Sequence, residues 1–290
     1  MPAWPVDERE GPPTRASQAP RVRVQAGRSW ATGIPELWEH REILFFLVLR
    51  NLKVRFRQTA LGAAWAVLQP LALMGVFVVF VEKVIKVPSE GEPYALFAFA
   101  GLVPWGLFAQ SLTGAAESVV RDMNLVAKVF VPRLALPLAA VAALLVDFVI
   151  SLVILLVMMA LYSTSPDVTA LFWIPIFSLL ALALAVAVGV WLSALMVMYR
   201  DVRALVPVLL QMWLFATPVA YPSSLVPAGW RSVYGVNPMS GVVEGFRSAL
   251  LGTPAPTGGM LAVSVSMTFV LLASGLAYFR RVDRTFADVI

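Results

Sequence analysis

The chain has 290 residues, of which 60% are hydrophobic and 13% are charged, and its net charge is +5. Soluble domains carry about 25% charged residues, so this composition indicates a membrane protein. The sequence has no cysteine and a single histidine, His40, which excludes disulfides, Cys-based metal sites and histidine-paired zinc or acid–base chemistry. No Gly-Lys pair occurs, so the sequence lacks a Walker A loop.

Two different segments precede the first apolar run. Residues 1–35 are rich in Pro, Arg, Gly and Ala, without the apolar stretch of a secretory signal, and predict a disordered cytosolic tail. Residues 36–59 are too charged to span a bilayer, but they have the spacing of an amphipathic helix. Its apolar face holds Leu49, Leu52 and Phe56, and its basic face holds Arg50, Lys53 and Arg57. We expect a helix in the cytosolic interface, whose basic face either anchors it or binds an anionic headgroup.

Six apolar runs follow, and each is long enough, or nearly so, to cross a bilayer core of about 30 Å. They are 61–81, 94–116, 134–161, 171–198, 204–221 and 260–279. Because a helix satisfies its own backbone in lipid, they predict an all-α integral membrane protein with six transmembrane helices. This transmembrane domain covers 60–281, and 282–290 forms a tail.

Lysine and arginine are unequally distributed between the two sides of these runs. Eighteen of the 22 precede the first run, lie in 117–133 or 199–203, or follow residue 279. The other four are Lys83, Lys86, Arg231 and Arg247. The positive-inside rule therefore predicts that both termini are cytosolic.

The segment 222–252, on the opposite side, is too apolar for a free loop and too short for a span. Asn237 and Pro238 have the cap and first-position residues of a helix start, and Gly252 has the place of a C-terminal glycine cap. Another short helix is expected near Pro227. Two short helices here predict a re-entrant element on the outer face, covered by protein or lining a cavity.

Four segments resemble those of one known family. They are RNLKVRFRQTALGAAWAVLQPL (50–71), NLVAKVFVPRLALPL (124–138), NPMSGVVEGFRSALLG (237–252) and FRRVDRTFADVI (279–290). In order and spacing they are similar to the ABC-2 type polysaccharide exporters, the permease subunits for O-antigen, teichoic acid, galactan and related glycans. The first and last segments favour this branch over drug-exporting ABC-2 permeases.

The resemblance implies a homodimer of this permease, bound to two copies of a separate ABC ATPase in the bacterial plasma membrane. It implies export of a polyprenyl-pyrophosphate-linked polysaccharide, with no cofactor in this chain and with ATP and Mg on the partner. The missing Walker A loop agrees with this expectation. Membrane lipids are expected contacts, and nucleic acid is not.

The resemblance also assigns roles to residues in the 117–133 loop, which is expected to couple the ATPase to the membrane. The residues expected to grip the ATPase are Leu125, Val126, Lys128, Val129, Phe130 and Arg133. An ordinary basic loop is the alternative. The outer gate is expected at Asn237, Pro238, Glu244 and Arg247.

Aromatic residues are candidates for the glycan path, because sugar C–H surfaces stack on aromatic rings. Trp105 and Trp213 lie near the middle of runs, whereas membrane tryptophans usually lie at interfaces. The expected set is Trp65, Trp105, Phe108, Trp213, Phe215 and Tyr221. Packing against lipid or protein is the alternative role.

The turn at 199–203 places charges between two uncharged runs. Arg200 and Arg203 serve either as topological anchors or, with Asp201 as an ion-pair partner, as a cytosolic gate. Asp147 is the one acid in mid-membrane, and we favour a structural role for it over proton transfer.

The sequence has three possible functions besides export of a lipid-linked glycan. A proton-coupled transporter built on Asp147 predicts acids or a histidine in other runs, and none occurs there. A membrane enzyme needs clustered acids or a paired nucleophile, and the acids here are scattered. A drug or small-lipid ABC-2 permease stays open, and the co-purifying lipid or the adjacent genes would distinguish it.

Overall fold

The computed structural model describes residues 34–57, 64–128, 131–166, 172–227, 230 and 234–283. This part of the chain is helical and contains no strand. Five helices are long and apolar enough to cross a membrane: Val67–Ile85, Tyr94–Arg121, Ala135–Leu161, Trp173–Met198 and Gly258–Val282. The expectation of an all-α, multi-pass membrane protein is confirmed. Of the two tails predicted at the termini, 1–35 and 282–290, only 34–35 and 282–283 are described, and these positions are helical rather than tail.

The helices are numbered here in chain order. They are α1 (Ile34–Glu39), α2 (Arg41–Arg57), α3 (Ala64–Phe77), α4 (Tyr94–Arg121), α5 (Met123–Lys128), α6 (Ala135–Leu161), α7 (Trp173–Met198), α8 (Val202–Ala216), α9 (Pro238–Leu251) and α10 (Gly258–Asp283). A π-helical segment, Val78–Ile85, continues α3.

The run at 204–221 does not form a sixth helix of spanning length. It forms α8, which has 15 residues and therefore a length of about 22 Å, less than the bilayer core of about 30 Å. The helix ends because Thr217 precedes Pro218, and a residue before proline disfavours the helical conformation. Thr217 accordingly has φ −105° and ψ 142°. Five of the six predicted runs thus form helices long and apolar enough to span, and the sixth forms a shorter helix and a bend.

Helix α4 is the centre of the bundle. Protein buries 78% of its most apolar window, against 6% for the span that begins in α3. α4 packs closely on α7 because Gly189 has no side chain at the contact. A Cβ atom there would lie 2.5 Å from the Cβ of Ala115. Small residues allow such close approach of membrane helices.

The predicted interface helix at 36–59 is found as two helices, α1 and α2, which meet at His40. α2 packs along α6. Leu47 belongs to a buried apolar cluster with residues of α4, α6, α7 and α10, whereas Phe45, Phe46 and Leu49 are exposed. Of the predicted apolar face, Leu49 is exposed, Leu52 is partly buried, and the side chain of Phe56 lies outside the described residues, so the interfacial role of α2 stays a prediction.

Helix α9 has the ends that its sequence predicted. The side chain of Asn237 accepts a hydrogen bond from the backbone N–H of Met239, and Pro238 is the first helical residue. Gly252 ends the helix with φ 68°, a left-handed conformation that favours glycine. A short 3-10 turn at Ser223–Leu225 precedes it. The short helix predicted near Pro227 lies mostly outside the described residues.

Candidate functional site

A polar cavity of about 860 Å³ lies between α2, α3, α4 and α6, with one apolar contribution from α8. Its polar lining consists of Arg50, Asn51, Arg55, Gln69, Gln110, Thr113, Glu117, Arg121 and Asp122. Arg121 and Asp122 lie at one end of α4, and Gln110 lies about 16 Å deeper along that helix. The cavity therefore brings polar groups from the end of the bundle toward its middle.

Four ion pairs between described residues lie in this region. One joins the neighbours Arg121 and Asp122 at the end of α4, 3.9 Å apart, and the other three join different helices. Arg50 Nη2 lies 2.5 Å from Asp122 Oδ1. Arg55 pairs with Asp147 and also donates a hydrogen bond of 3.0 Å to Gln110 Oε1. Arg203 Nε lies 3.4 Å from Glu117 Oε1.

These three pairs share an arrangement. Each carboxylate belongs to α4, its C-terminal cap or α6, whereas each arginine belongs to α2 or α8. The carboxylates are 11%, 4% and 33% exposed, and their arginines are 36%, 40% and 65% exposed, in the order given above. In each pair the acid is less exposed than its arginine, and Asp122 and Asp147 are largely buried, so the arginines are the more accessible partners.

Of the basic face predicted on α2, Arg50 lines the cavity and Lys53 is exposed outside its lining. The side chain of Arg57 lies outside the described residues. Sequence reasoning missed Arg55, which does not share the spacing of the other three. An indirect signal was available, because a carboxylate in mid-membrane, Asp147, calls for a cationic partner.

The turn at 199–203 is joined to the cavity lining by the ion pair of Arg203 with Glu117. Arg200 and Asp201 are exposed, and Asp201 stands at the N-terminal cap of α8 without a side-chain hydrogen bond to the helix. The predicted partner of the arginines was Asp201. Between described residues, the ion pair of Arg203 is instead made with Glu117 on α4.

The predicted coupling segment follows Asp122 directly. It includes α5, and Leu125 and Arg133 are both partly buried. The side chains of Val126 and Lys128 lie outside the described residues, as do Val129 and Phe130 entirely. The role of the segment stays a prediction.

The candidate aromatic residues divide into packed and exposed groups. Trp105 and Phe108 are buried, their ring centres are 5.4 Å apart, and Phe108 contacts Trp213 edge-on at 4.9 Å. Trp65 and Phe215 are exposed. The packed rings join α4 to α8 inside the subunit, so channel lining stays a prediction for this set.

Asn237 connects the outer ends of α8 and α9. Its Oδ1 accepts hydrogen bonds from Trp213 Nε1 at 2.8 Å and from the N–H of Met239 at 3.2 Å. Its Nδ2 donates to the carbonyl oxygen of Ala216 and to Thr217 Oγ1, both at 3.0 Å. Nearby, the hydroxyls of Tyr221 and Tyr234 are 2.5 Å apart. One amide side chain thus fixes the bend that ends α8.

Arg247 on α9 is buried and donates hydrogen bonds to three backbone carbonyl oxygens: Phe97 at 3.3 Å, Pro218 at 3.1 Å and Val219 at 2.9 Å. Gly101 makes room for it, because a Cβ atom there would lie 2.6 Å from Arg247 Nη2. Burial lowers the pKa of Arg247 to about 10, so the side chain remains charged at neutral pH. Arg247 therefore holds the bend against α4.

Glu244, one turn before Arg247, fixes the segment that follows the bend. Its Oε1 accepts a hydrogen bond of 3.1 Å from the backbone N–H of Ser223. Burial raises the pKa of Glu244 above its ordinary value. Both predicted outer-gate charges thus contact backbone that connects α8 to α9.

Helix α8 is loosely attached to the rest of the subunit. Val206 is its one fully buried residue. Large apolar side chains are exposed around it: Leu205, Val208, Leu209, Met212 and Phe215. A groove of about 480 Å³ with an almost entirely apolar lining runs between α8, α4 and α7.

Comparison with known proteins agrees with this architecture. Residues 42–251 match the family described as ABC-2 type transporter. The chain is 32% identical over 259 residues to the O-antigen export system permease protein RfbA of Myxococcus xanthus, covering 89% of this chain and 98% of that protein. The protein of the same name from Klebsiella pneumoniae is 23% identical, with 86% and 95% covered. The polysialic acid transport protein KpsM of Escherichia coli is 24% identical, with 81% and 91% covered.

The family match covers most of the chain, including α2, the cavity and both ends of α9. The relative from Myxococcus xanthus is similar along almost its entire length. The resemblance identified from four sequence segments is thereby confirmed. This chain belongs to the ABC-2 type transporter family.

Proposed function

We propose that the chain is the transmembrane permease subunit of an ATP-driven exporter, and that it moves a polyprenyl-pyrophosphate-linked polysaccharide out across the bacterial plasma membrane. The observation that carries the proposal is the full-length similarity to permeases named for O-antigen export and for polysialic acid transport. The polar cavity supports it, because it offers cations to an anionic headgroup inside an otherwise apolar bundle.

A separate ABC ATPase supplies the energy in this proposal, because the chain has no Walker A loop. Two permease copies and two ATPase copies form the complex, with both termini of the permease in the cytosol. The exposed apolar surface of α8 supports a second copy as its neighbour, since the helix makes few contacts within its own subunit.

The headgroup enters through the cavity, where Arg50, Arg55 and Arg121 face a common space. Phosphate oxygens match the planar fork of a guanidinium, which donates two parallel hydrogen bonds. The outer bend, held by Asn237 and Arg247, is the barrier that opens to release the glycan. The ion pair of Arg203 with Glu117 closes the opposite end between cycles.

The test is purification of the permease with its ATPase from the native host, followed by mass spectrometry of the co-purifying lipid. A polyprenyl-pyrophosphate glycan is the expected result. A drug-like or simple lipid cargo would favour the alternative ABC-2 function. ATP hydrolysis is expected in the complex and not in the permease alone, and activity of the verified-pure permease would contradict the two-subunit proposal.

A further inference from the structure

The pair of Arg55 and Asp147 differs from an optimised structural ion pair. One carboxylate oxygen, Oδ2, takes the arginine, and the other, Oδ1, is buried and accepts no hydrogen bond from the described residues. A buried polar atom without a partner is unfavourable. A purely structural pair would be expected to satisfy both oxygens. Here Asp147 binds the cation of Arg55 through one oxygen, while its other oxygen has no hydrogen bond from the described residues.

The arginine in this pair remains open to exchange. Arg55 is 40% exposed and lines the large cavity, whereas Asp147 is 4% exposed and does not line it. The bonds of Arg55 to Asp147 and Gln110 both use Nη2. A guanidinium has five N–H donors in all. An anion inside the cavity can therefore approach Arg55 from the side opposite the carboxylate.

An anion that replaces Asp147 as the partner of Arg55 must carry more negative charge than one carboxylate. A pyrophosphate carries more negative charge than one carboxylate and presents several oxygens to the arginine fork. Arg50 and Arg121 line the same cavity, and both pair with Asp122. With Glu117 also in the lining, three arginines face two carboxylates, so the lining keeps an excess of one positive charge. Inside the cavity a pyrophosphate is thus the stronger ligand, whereas a neutral cargo leaves the pair intact.

We infer that Arg55 is the pyrophosphate-binding residue of this cavity, and that Asp147 is an internal competitor that occupies Arg55 until the substrate headgroup replaces it. The inference rests on the proposed function and deepens it. Loading leaves the Asp147 carboxylate buried without its cation, which is unfavourable. Return of Arg55 to Asp147 therefore favours release of the headgroup, and the permease avoids retaining its substrate.

The test uses the permease–ATPase complex in phosphatidylcholine nanodiscs, with undecaprenyl pyrophosphate as the probe. Asp147→Asn removes the competing charge, so we expect about ten-fold tighter binding. Arg55→Gln should weaken binding by about ten-fold or more. In the double variant, the Asn substitution should bring no gain, because the group for which it competes is gone. Arg41→Gln, an exposed arginine on the same helix, is the matched control and should bind as the unmodified complex does.

Each alternative has its own result. Unchanged or weaker binding by Asp147→Asn, or a gain that persists in the Arg55→Gln background, overturns the inference. If Asp147→Asn does not fold, Arg55→Lys replaces it, since lysine keeps the ion pair but loses the fork. Unchanged probe affinity in Arg55→Lys overturns the assignment of Arg55.

If the complex of unmodified chains does not bind the probe, the result contradicts the proposed function itself, and the inference with it. Inorganic pyrophosphate, as a second probe, shows whether the headgroup alone is enough.

Discussion

The guanidinium carbon of Arg247 lies 3.6 Å from the centre of the Phe97 ring. The cation thereby contacts an aromatic face, while its N–H groups donate to the carbonyl oxygens of Pro218 and Val219 in the bend after α8. A positive charge against an aromatic face is favourable, especially where water is excluded. Together with Asn237, Arg247 thus fixes the bend from outside α8.

We expect Arg247→Lys to lower the free energy of unfolding by about 2 kcal/mol, because lysine cannot reach three carbonyl oxygens and stack on the ring as well. The measurement is the thermal unfolding midpoint of the purified protein in one detergent. Arg280→Lys, at an exposed position on α10, is the matched control. Equal midpoints for the two variants would contradict the role assigned to Arg247.

Trp213→Phe separates two uses of one side chain. The ring contact with Phe108 is largely kept, but the indole donor to Asn237 is lost, so we expect a loss of about 1 kcal/mol in stability. If the ring face also contacts glycan, export should remain close to normal. Trp213→Ala should cost about 3–5 kcal/mol through lost packing, and is therefore the weaker test of transport. A Phe variant as stable as the unmodified protein would show that the bond to Asn237 contributes little.

The pair of Arg203 and Glu117 should matter more for export than for stability. It is largely exposed, and such pairs contribute less than about 1 kcal/mol. We expect Arg203→Glu to insert with unchanged topology but to reduce glycan at the cell surface several-fold. Adding Glu117→Arg restores the pair with reversed charges, and export should largely recover.

Arg200→Glu is the control for charge reversal in the same turn. Topology is read by labelling single cysteines introduced near each terminus, which the cysteine-free chain allows. Equal export defects in Arg200→Glu and Arg203→Glu, without rescue by Glu117→Arg, would reduce both arginines to topological anchors.

Glu244 should give the outer segment a pH-dependent stability. Burial raises the pKa of Glu244 in the folded state, so the folded protein keeps this proton to a higher pH than the unfolded chain does. The free energy of unfolding therefore falls as the pH rises from the unfolded pKa, about 4.3, toward the folded one. Glu244→Gln resembles the protonated form, and its unfolding midpoint should fall less over this window. Glu39→Gln, at an exposed position, should keep the original slope. An unchanged slope in Glu244→Gln would show that another group titrates.

Local signals in the sequence predicted local structure well. Asn237, Pro238 and Gly252 gave the ends of α9 because capping depends on residues within one turn of the helix end. The apolar runs predicted the five long helices, because a helix that spans a bilayer requires a continuous apolar stretch of about 20 residues. The prediction of a sixth span at 204–221 was wrong. It considered only the apolar composition of the run, whereas Pro218 disfavours the helical conformation at Thr217 and ends the helix there.

The site depended on contacts that a single sequence does not contain. Arg55 and Asp147 are 92 positions apart, and only the packing of α2 on α6 brings them together. Helical spacing placed Arg50, Lys53 and Arg57 on one face of α2. That spacing depends on α2 alone and says nothing about which helix packs against it. Trp105 was a candidate path residue because of its depth, but its burial depends on which neighbours cover α4, so its role in the path stays a prediction.

The close contact of α4 and α7 at Gly189 restricts which parts of the subunit can rearrange. Because helices in such contact cannot shift without losing their packing, we expect α4 and α7 to move as one body. Displacement during a cycle should then fall on the thinly packed helices α3 and α8. Spin labels on cysteines introduced into α4 and α7 should keep a constant separation when ATP binds. A pair joining α4 to α8 should change its separation, and double electron–electron resonance would record the difference on a chain with no native thiols to remove.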